Sequence, residues 1–199
     1  IIDKADTRRG NPTIPVSYKQ IYSHISSDFK DKQADFANSM ALCIGDLGFY
    51  LADELIVTNY SQNKQLSKIL SYYHQIAIKT CMGEMMDVTL PFKATLLQAD
   101  PDLETKIMEV YTLKTAWYSV VGPYCLGMIL GGALEEEIKQ MEKILLNVGI
   151  AFQIKDDILG IYGDANHLGK PINSDIEECK QTLLYAYAMQ TEYKNILMN

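Results

Sequence analysis

The residues best placed to do chemistry are charged groups on helical faces that packing should keep apolar. Between positions 103 and 134, the stripe Leu103, Ile107, Val110, Trp117, Val121 has Lys114 as its remaining member. An ammonium on an inward stripe is costly unless it meets an anion; the other reading is a long side chain that snorkels to solvent. Between 64 and 89, the face of Tyr73, Ala77 and Thr80 runs on into Glu84 and Asp87, which is either a solvated helix end or a pair of carboxylates turned to a site. Between 135 and 161, Gln153, Asp156, Asp157 and Gly160 share one side, beside a packing stripe of Met141, Val148, Phe152 and Leu159. Adjacent carboxylates repel and are tolerated best opposite a divalent cation or a cluster of bases, although an exposed acidic patch has the same spacing. Basic groups complete the set: Arg8-Arg9 before Gly10, Lys170 between Gly169 and Pro171, and Lys180. Each alone reads as a surface or helix-end cation. Together with Lys114 they could surround a diphosphate, with carboxylates opposite to carry magnesium.

The elements that must position these groups are helices, since the apolar positions recur at three and four and no run alternates strictly. Positions 1–9 read as the end of a helix stopped by Gly10-Asn11-Pro12, followed by a connecting stretch to 27 with room for one short helix. Helices are expected at 33–56, where Ala37, Met40, Ala41, Ile44, Leu47, Leu51 and Leu55 form the stripe, and at 64–89, 103–134 and 135–161, with a last one from about 174. Pro91, Pro101 and Pro171 are expected between helices. With no repeat, low-complexity tract or linker, the chain reads as one all-α domain.

The totals narrow the function classes. With 199 residues, 48% of them hydrophobic, the chain can bury one sizeable core. A net charge of −7 argues against a nucleic-acid partner, which needs a basic surface. Cys43, Cys81, Cys125 and Cys179 make no CxxC pair and read as reduced, buried packing thiols of a cytoplasmic protein. Positions 117–134 are apolar and nearly reach the ~20 residues of a membrane span, but Gly122-Pro123 and Gly131-Gly132 favour a buried helix with a proline kink.

These residues also carry a resemblance. The run GIAFQIKDDILGIYGD at 149–164 resembles the second aspartate-rich motif of the polyprenyl synthetase family, the trans-isoprenyl diphosphate synthases. Gly169-Lys170-Pro171, Ser174-Asp175-Ile176 and the run from Lys180 to Leu184 are similar to the loop and helix that follow it there. Lys114-Thr115-Ala116 resembles the family's lysine-threonine pair, and Gly45-Asp46 its glycine-aspartate. Gly83-Glu84-Met85-Met86-Asp87 is similar to its glycine-glutamine-x-x-aspartate stretch, with glutamate replacing glutamine. Asp3 followed by Arg8-Arg9-Gly10 looks like the end of the first aspartate-rich motif, so the sequence is expected to begin inside that motif, with two aspartates and several helices upstream and a further portion downstream.

The resemblance covers essentially all 199 residues, in the family's order, and is nearest to the farnesyl and geranylgeranyl diphosphate synthases. It implies an all-α bundle around a central cavity, partial in this chain, and a magnesium-dependent prenyltransferase condensing isopentenyl diphosphate with an allylic diphosphate. Carried over residue by residue, Asp3, Asp156 and Asp157 serve the metal ions. Arg8, Lys114, Lys170 and Lys180 hold the allylic diphosphate, and Arg9 contacts isopentenyl diphosphate. Thr115 and Gln153 present oxygen dipoles to the developing cation, and Phe152 is an apolar wall against water. The resemblance further implies a cytoplasmic homodimer without a transmembrane segment. Gly160 stands where the last aspartate of the second motif is expected; Leu159-Gly160 is similar to the geranylgeranyl subgroup. Two other readings are a terpene cyclase on the same fold and a non-catalytic subunit of a heteromeric prenyl synthase. Cyclases replace the second motif and need no site for isopentenyl diphosphate, and such subunits lose the aspartate motifs; Asp156-Asp157 and Arg9 favour elongation.

Overall fold

The structure, a computed structural model, describes residue 2 and residues 5–25, 32–96, 101–164, 174–177 and 179–192. Apart from one two-residue hairpin, the regular structure among the described residues is helical, as the apolar period requires. The chain divides into two compact units, Ile1–Gln62 with Asp164–Pro171, and Asn63–Gly163 with Ile172–Asn199.

In the first unit, β1 (Thr7–Arg8) pairs antiparallel with β2 (Asn11–Pro12), Arg8 opposite Asn11. The loop residues Arg9 and Gly10 both have positive φ, 51° and 76°, the mirror-image turn whose twist suits a hairpin. The helix end expected at 1–9 is therefore a hairpin where it is described: left-handed backbone at 9 and 10 and a proline at 12 leave a helix no way to continue. Thr13 ties off the hairpin, its amide to the Asp6 carbonyl and its hydroxyl to that of Ala5, both at 2.9 Å. From there α1 (Ile14–Ile25) runs for 12 residues, where a connecting stretch with one short helix was expected.

Tyr18 and Tyr22 of α1 pack on Phe36 in the first turn of α2 (Gln33–Tyr60), with Ala37 and Ala41 buried beside them. The 12-residue α1 is too short to follow the 28-residue α2 to its end. Leu47, Leu51 and Leu55, which continue the same stripe, are exposed. Leu42, Phe49, Tyr50 and Val57 are exposed on its other sides, so α2 is apolar nearly all round.

In the second unit, α3 (Leu66–Leu96) buries Ile69, Ile76, Gly83 and Leu90, a line repeating every seventh residue. It continues through Pro91, which was expected between helices. The lost hydrogen bond costs about 3 kcal/mol; burial of Leu90 with Ile107, Val110, Tyr111, Leu183 and Ala186 holds this end of the helix in the core. The expected helix at 103–134 is α4 (Leu103–Val110), an 11-residue π-helical segment (Tyr111–Val121) and α5 (Gly122–Leu130). The expected proline kink is thus a change of register. The Gly122 amide bonds the Trp117 carbonyl five residues back, and Pro123 falls in the first turn of α5, where a missing N–H costs nothing.

After α5, the helix α6 (Glu135–Tyr162) starts with three glutamates in its first turn, and Glu137 Oε2 accepts the Leu134 amide at 2.8 Å. Two short helices, α7 (Ser174–Glu177) and α8 (Leu183–Ala188), follow; the Thr182 hydroxyl caps α8 by accepting the Tyr185 amide at 3.3 Å.

The π segment lies between α3 and α6, and a glycine stands at each contact. A Cβ on Gly83 would fall on the Lys114 backbone, 2.7 Å from the Leu113 carbonyl carbon. A Cβ on Gly149 would stand 2.5 Å from both Cα and Cβ of Ala116. This approach inverts the expected faces of α6. Val148 and Phe152 of the packing stripe are 51% and 54% exposed, while Gly149, Asp157 and Gly160 are buried. The reason is spatial at Gly149, where the Ala116 backbone leaves no room for a Cβ, while Ile150 and Ile154 of the same helix pack against the core cluster.

The cysteine expectation is corrected similarly. All four are free, but only Cys125 is buried; Cys43, Cys81 and Cys179 are exposed. Cys43 and Cys81 lie on sides of α2 and α3 that no described residue covers. No helix among the described residues is long and apolar enough to cross a membrane.

The glycine contacts can be tested by volume. Gly149→Ala should lower stability by about 2 kcal/mol through overpacking, read as a lower urea midpoint at unchanged slope. Gly127→Ala in α5, where a Cβ meets nothing within 4 Å, should raise stability by about 0.5–1 kcal/mol.

Candidate functional site

The site grows from the π segment. Lys114 Nζ lies 3.0 Å from Glu84 Oε2 and 2.5 Å from Asp87 Oδ2. The two carboxylates are three residues apart on α3 and so face the same way, and the contact at Gly83 brings the Lys114 backbone beside them. The lysine therefore meets anions rather than reaching bulk water, and the two acidic residues are not a solvated helix end. Burial pulls the ammonium pKa down, but the hydrogen bond and charge of Asp87, with those of Glu84, outweigh it and leave it raised. One positive and two negative charges make this cluster net −1.

Next to it lies a row of neutral and acidic groups. Thr115 Oγ1 donates to Gln153 Oε1 at 2.5 Å, and Gln153 Nε2 donates to Asp157 Oδ1 at 2.7 Å. Gln153 and Asp157 are one turn apart on α6, the spacing at which side chains meet. Tyr111 Oη donates to Asp157 Oδ2 and accepts the Leu183 amide at 3.0 Å. Thr115 and Asp157 are each 4% exposed. Burial is the main cause that pushes the Asp157 carboxyl up to about 6; the hydrogen bonds from Tyr111 and Gln153 oppose it, and the charges of Asp175 and Asp156 add to it. Burial, then the bond to Asp157, raises the Tyr111 phenol well above its ordinary value.

The end of α6 gathers more charge. A Cβ on Gly160 would stand 3.1 Å from Asp175 Oδ2, so the carboxylate from α7 lies over the place where the second motif lacks its last aspartate. Lys180 Nζ is 3.6 Å from Asp175 Oδ1, and the Lys180 amide donates to the Asp175 carbonyl at 2.8 Å. Asp156 is half-buried beside Asp157.

Among the residues expected at the site, Lys114, Thr115, Gln153 and Asp157 are brought together, and Asp156 neighbours them on α6. Lys180 reaches this end of α6 through Asp175. Arg8 and Arg9 stand exposed on the hairpin of the other unit. Asp3 and Lys170 lie outside the described residues. Phe152, the expected wall, is 54% exposed. Both Asp157 oxygens are engaged by Tyr111 and Gln153, the arrangement of a group that orients its neighbours.

Two participants went unremarked at the sequence level. Tyr111 carries a visible signal, lying one helical turn before Thr115 and next to Val110 of the stripe. Asp175 stands in a quoted run, but its placement over Gly160 depends on how the chain returns to α6. Among the described residues no three His, Cys, Asp or Glu side chains converge as a metal site. The carboxylates toward this end of α6, Asp156 and Asp175, are hard oxygens of the kind magnesium takes, without nitrogen or sulfur ligands. They fit one side of a site that other carboxylates must complete.

Residues 1–199 match the model of the family described as polyprenyl synthetase. The chain is 29% identical over 193 residues to a short chain isoprenyl diphosphate synthase of Methanocaldococcus jannaschii, covering 96% of this chain and 50% of that protein. It is 31% identical over 185 residues to a geranylgeranyl diphosphate synthase of Saccharolobus solfataricus, covering 92% and 48%. The crystal structure of a geranylgeranyl pyrophosphate synthase from Corynebacterium glutamicum, complexed with isoprenyl diphosphate and magnesium, superposes with a TM-score of 0.81 at 27% identity, covering 97% of this chain and 52% of that one. The chain thus spans about half the length of these relatives. The match over its whole length shows that it belongs to the polyprenyl synthetase family.

Proposed function

We propose that the full-length protein is a prenyltransferase of the isoprenyl diphosphate synthase type, in which the 199 residues form part of the catalytic domain. It condenses isopentenyl diphosphate with an allylic diphosphate of the geranyl, farnesyl or geranylgeranyl class and releases pyrophosphate. The observation that carries this reading is Lys114, held by Glu84 and Asp87 beside the buried Thr115–Gln153–Asp157 row. A purely structural bundle has no need of this costly arrangement.

In this reading the allylic C–O bond breaks to give a cation and pyrophosphate, the double bond of isopentenyl diphosphate attacks that cation, and a proton leaves to the pyrophosphate. Lys114 turns an ammonium hydrogen to the allylic diphosphate, joined by Arg8, Lys170 and Lys180, while Arg9 contacts isopentenyl diphosphate. Thr115 and Gln153 hold oxygen atoms toward the cation, a preorganised field that need not reorient as charge develops. The net −1 cluster around Lys114 repels a diphosphate unless further positive charge is present, which supports a magnesium requirement. Asp156 and Asp3 would hold magnesium, which when bound offsets the charge gathering on the leaving diphosphate. The protein acts in the cytoplasm as a homodimer, a reading supported by the apolar sides of α2.

The test uses the full-length protein with radiolabelled isopentenyl diphosphate, an allylic diphosphate and magnesium. Label should enter a product five carbons longer and disappear with a chelator; turnover of the allylic diphosphate without incorporation would instead establish a cyclase. Lys114→Gln should lower kcat/KM by about a hundredfold to a thousandfold, the scale of losing one preorganised electrostatic contact. Asp156→Ala should raise the magnesium concentration needed for half-maximal rate by at least about tenfold.

A further inference from the structure

The hydrogen bonds between Leu183 and Thr115 form a single row, and its direction is set in the middle. Both Asp157 oxygens are acceptors, Oδ2 from the Tyr111 hydroxyl and Oδ1 from the Gln153 side-chain N–H. Tyr111 Oη takes the Leu183 amide on one lone pair, so its own hydrogen is available for Asp157 Oδ2. The other carboxylate oxygen can bond only the N–H side of the Gln153 amide, which turns Gln153 Oε1 to Thr115. Thr115 must then give its hydrogen away to Gln153, and what its hydroxyl keeps for any other neighbour is oxygen lone pair.

We propose that Tyr111 and Asp157 are positioning residues that fix the orientation of the Gln153 amide and, through it, the sign of the dipole that Thr115 presents to the reacting carbon. This deepens the prenyl-transfer reading and rests on it. A half-turn of the Gln153 amide exchanges nitrogen and oxygen at nearly equal volume, so packing alone cannot choose between the two orientations. With the amide reversed, Thr115 would accept from Nε2 and its hydrogen would point outward, the wrong end of the dipole for a carbocation. Burial makes the choice strict, because a partner left unsatisfied in this row loses its hydrogen bond without regaining one from water. Tyr111 spans from the α8 end of the core to Asp157, so the same row ties the catalytic face of α6 to the start of α8.

The inference separates Asp157 from its neighbour. As a magnesium ligand, Asp157 would set the metal requirement; as a positioning residue, it leaves that requirement alone. Asp157→Asn is the informative variant, because its oxygen can keep the Tyr111 hydrogen while its N–H faces Gln153 and reverses the amide without leaving any group unpaired.

In the full-length protein, Asp157→Asn should lower kcat about a hundredfold, with KM for the allylic diphosphate and the magnesium half-saturation within about threefold of wild type. Tyr111→Phe should lower kcat about tenfold with the same unchanged binding. In a Thr115→Val background, where the hydroxyl is gone, Asp157→Asn should cost less than about twofold more. A tenfold rise in the magnesium requirement, or full additivity with Thr115→Val, would overturn the proposal. Neutron diffraction of the deuterated full-length protein reads the same point without turnover. The Thr115 deuterium should point at Gln153 Oε1 in the wild type and away from it in Asp157→Asn. A wild-type deuterium pointing away from Gln153 would overturn the inference even in an active enzyme. A protein without turnover but with the expected deuterium would sink the prenyl-transfer reading alone.

Discussion

The second unit depends on how closely three backbones can approach. Gly83 on α3 and Gly149 on α6 meet the π segment from two sides, at distances where a single added carbon would collide with the Lys114 and Ala116 backbone. The groups around Lys114 and Thr115 lie within about one turn of those contacts, and Asp157 lies two turns beyond Gly149. Glu84 and Asp87 follow Gly83, Lys114 and Thr115 sit on the clamped segment, and Gln153 and Asp157 follow Gly149 at steps of four. Side chains this short can bond across helices only because the helix axes are so close.

The change to π register follows from the same region. In an α register the ring of Pro123 would crowd the carbonyl four residues back. The helix passes this point unbroken, with the step of five still in place where the Gly122 amide bonds the Trp117 carbonyl. Along this segment Tyr111, Thr115, Ala116, Trp117 and Val121 are buried, while Tyr118 is exposed. Further along, Lys79 Nζ stands 3.0 Å from the Trp117 ring centroid, and Tyr72 donates to Glu142 Oε1 at 2.7 Å, tying α3 to the segment and to α6.

Burying charge here is possible because nearly every group is answered. Lys114 has two carboxylates, Asp157 has a phenol and an amide, and Asp175 has Lys180. Among the described residues only Gln181 Oε1 is a buried side-chain atom without a partner. The acidic groups outnumber the basic ones around Lys114, which suits a site that works with added divalent charge. A glutamate at 84, where the family stretch has glutamine, contributes to that excess.

Much of the helical layout was legible in the chain itself, because an apolar period near 3.6 admits no other regular structure. Lys114 stood out as a charge on an apolar stripe, whereas Glu84 and Asp87 read equally as a solvated helix end until their partner was seen. The ordered motifs, read together, pointed to the family. The tertiary structure decided which side of α6 faces inward. Val148 and Phe152 carry the stripe a helix normally buries, yet Gly149 and Asp157 are the buried ones, because close approach selects for small volume and matched hydrogen bonds over hydrophobicity. It also decided that 9 and 10 turn a hairpin, that Pro123 shifts a register instead of bending a helix, and that Tyr111 and Asp175 join the site. Those outcomes depend on what stands opposite each residue across space, and one-dimensional spacing holds no record of that.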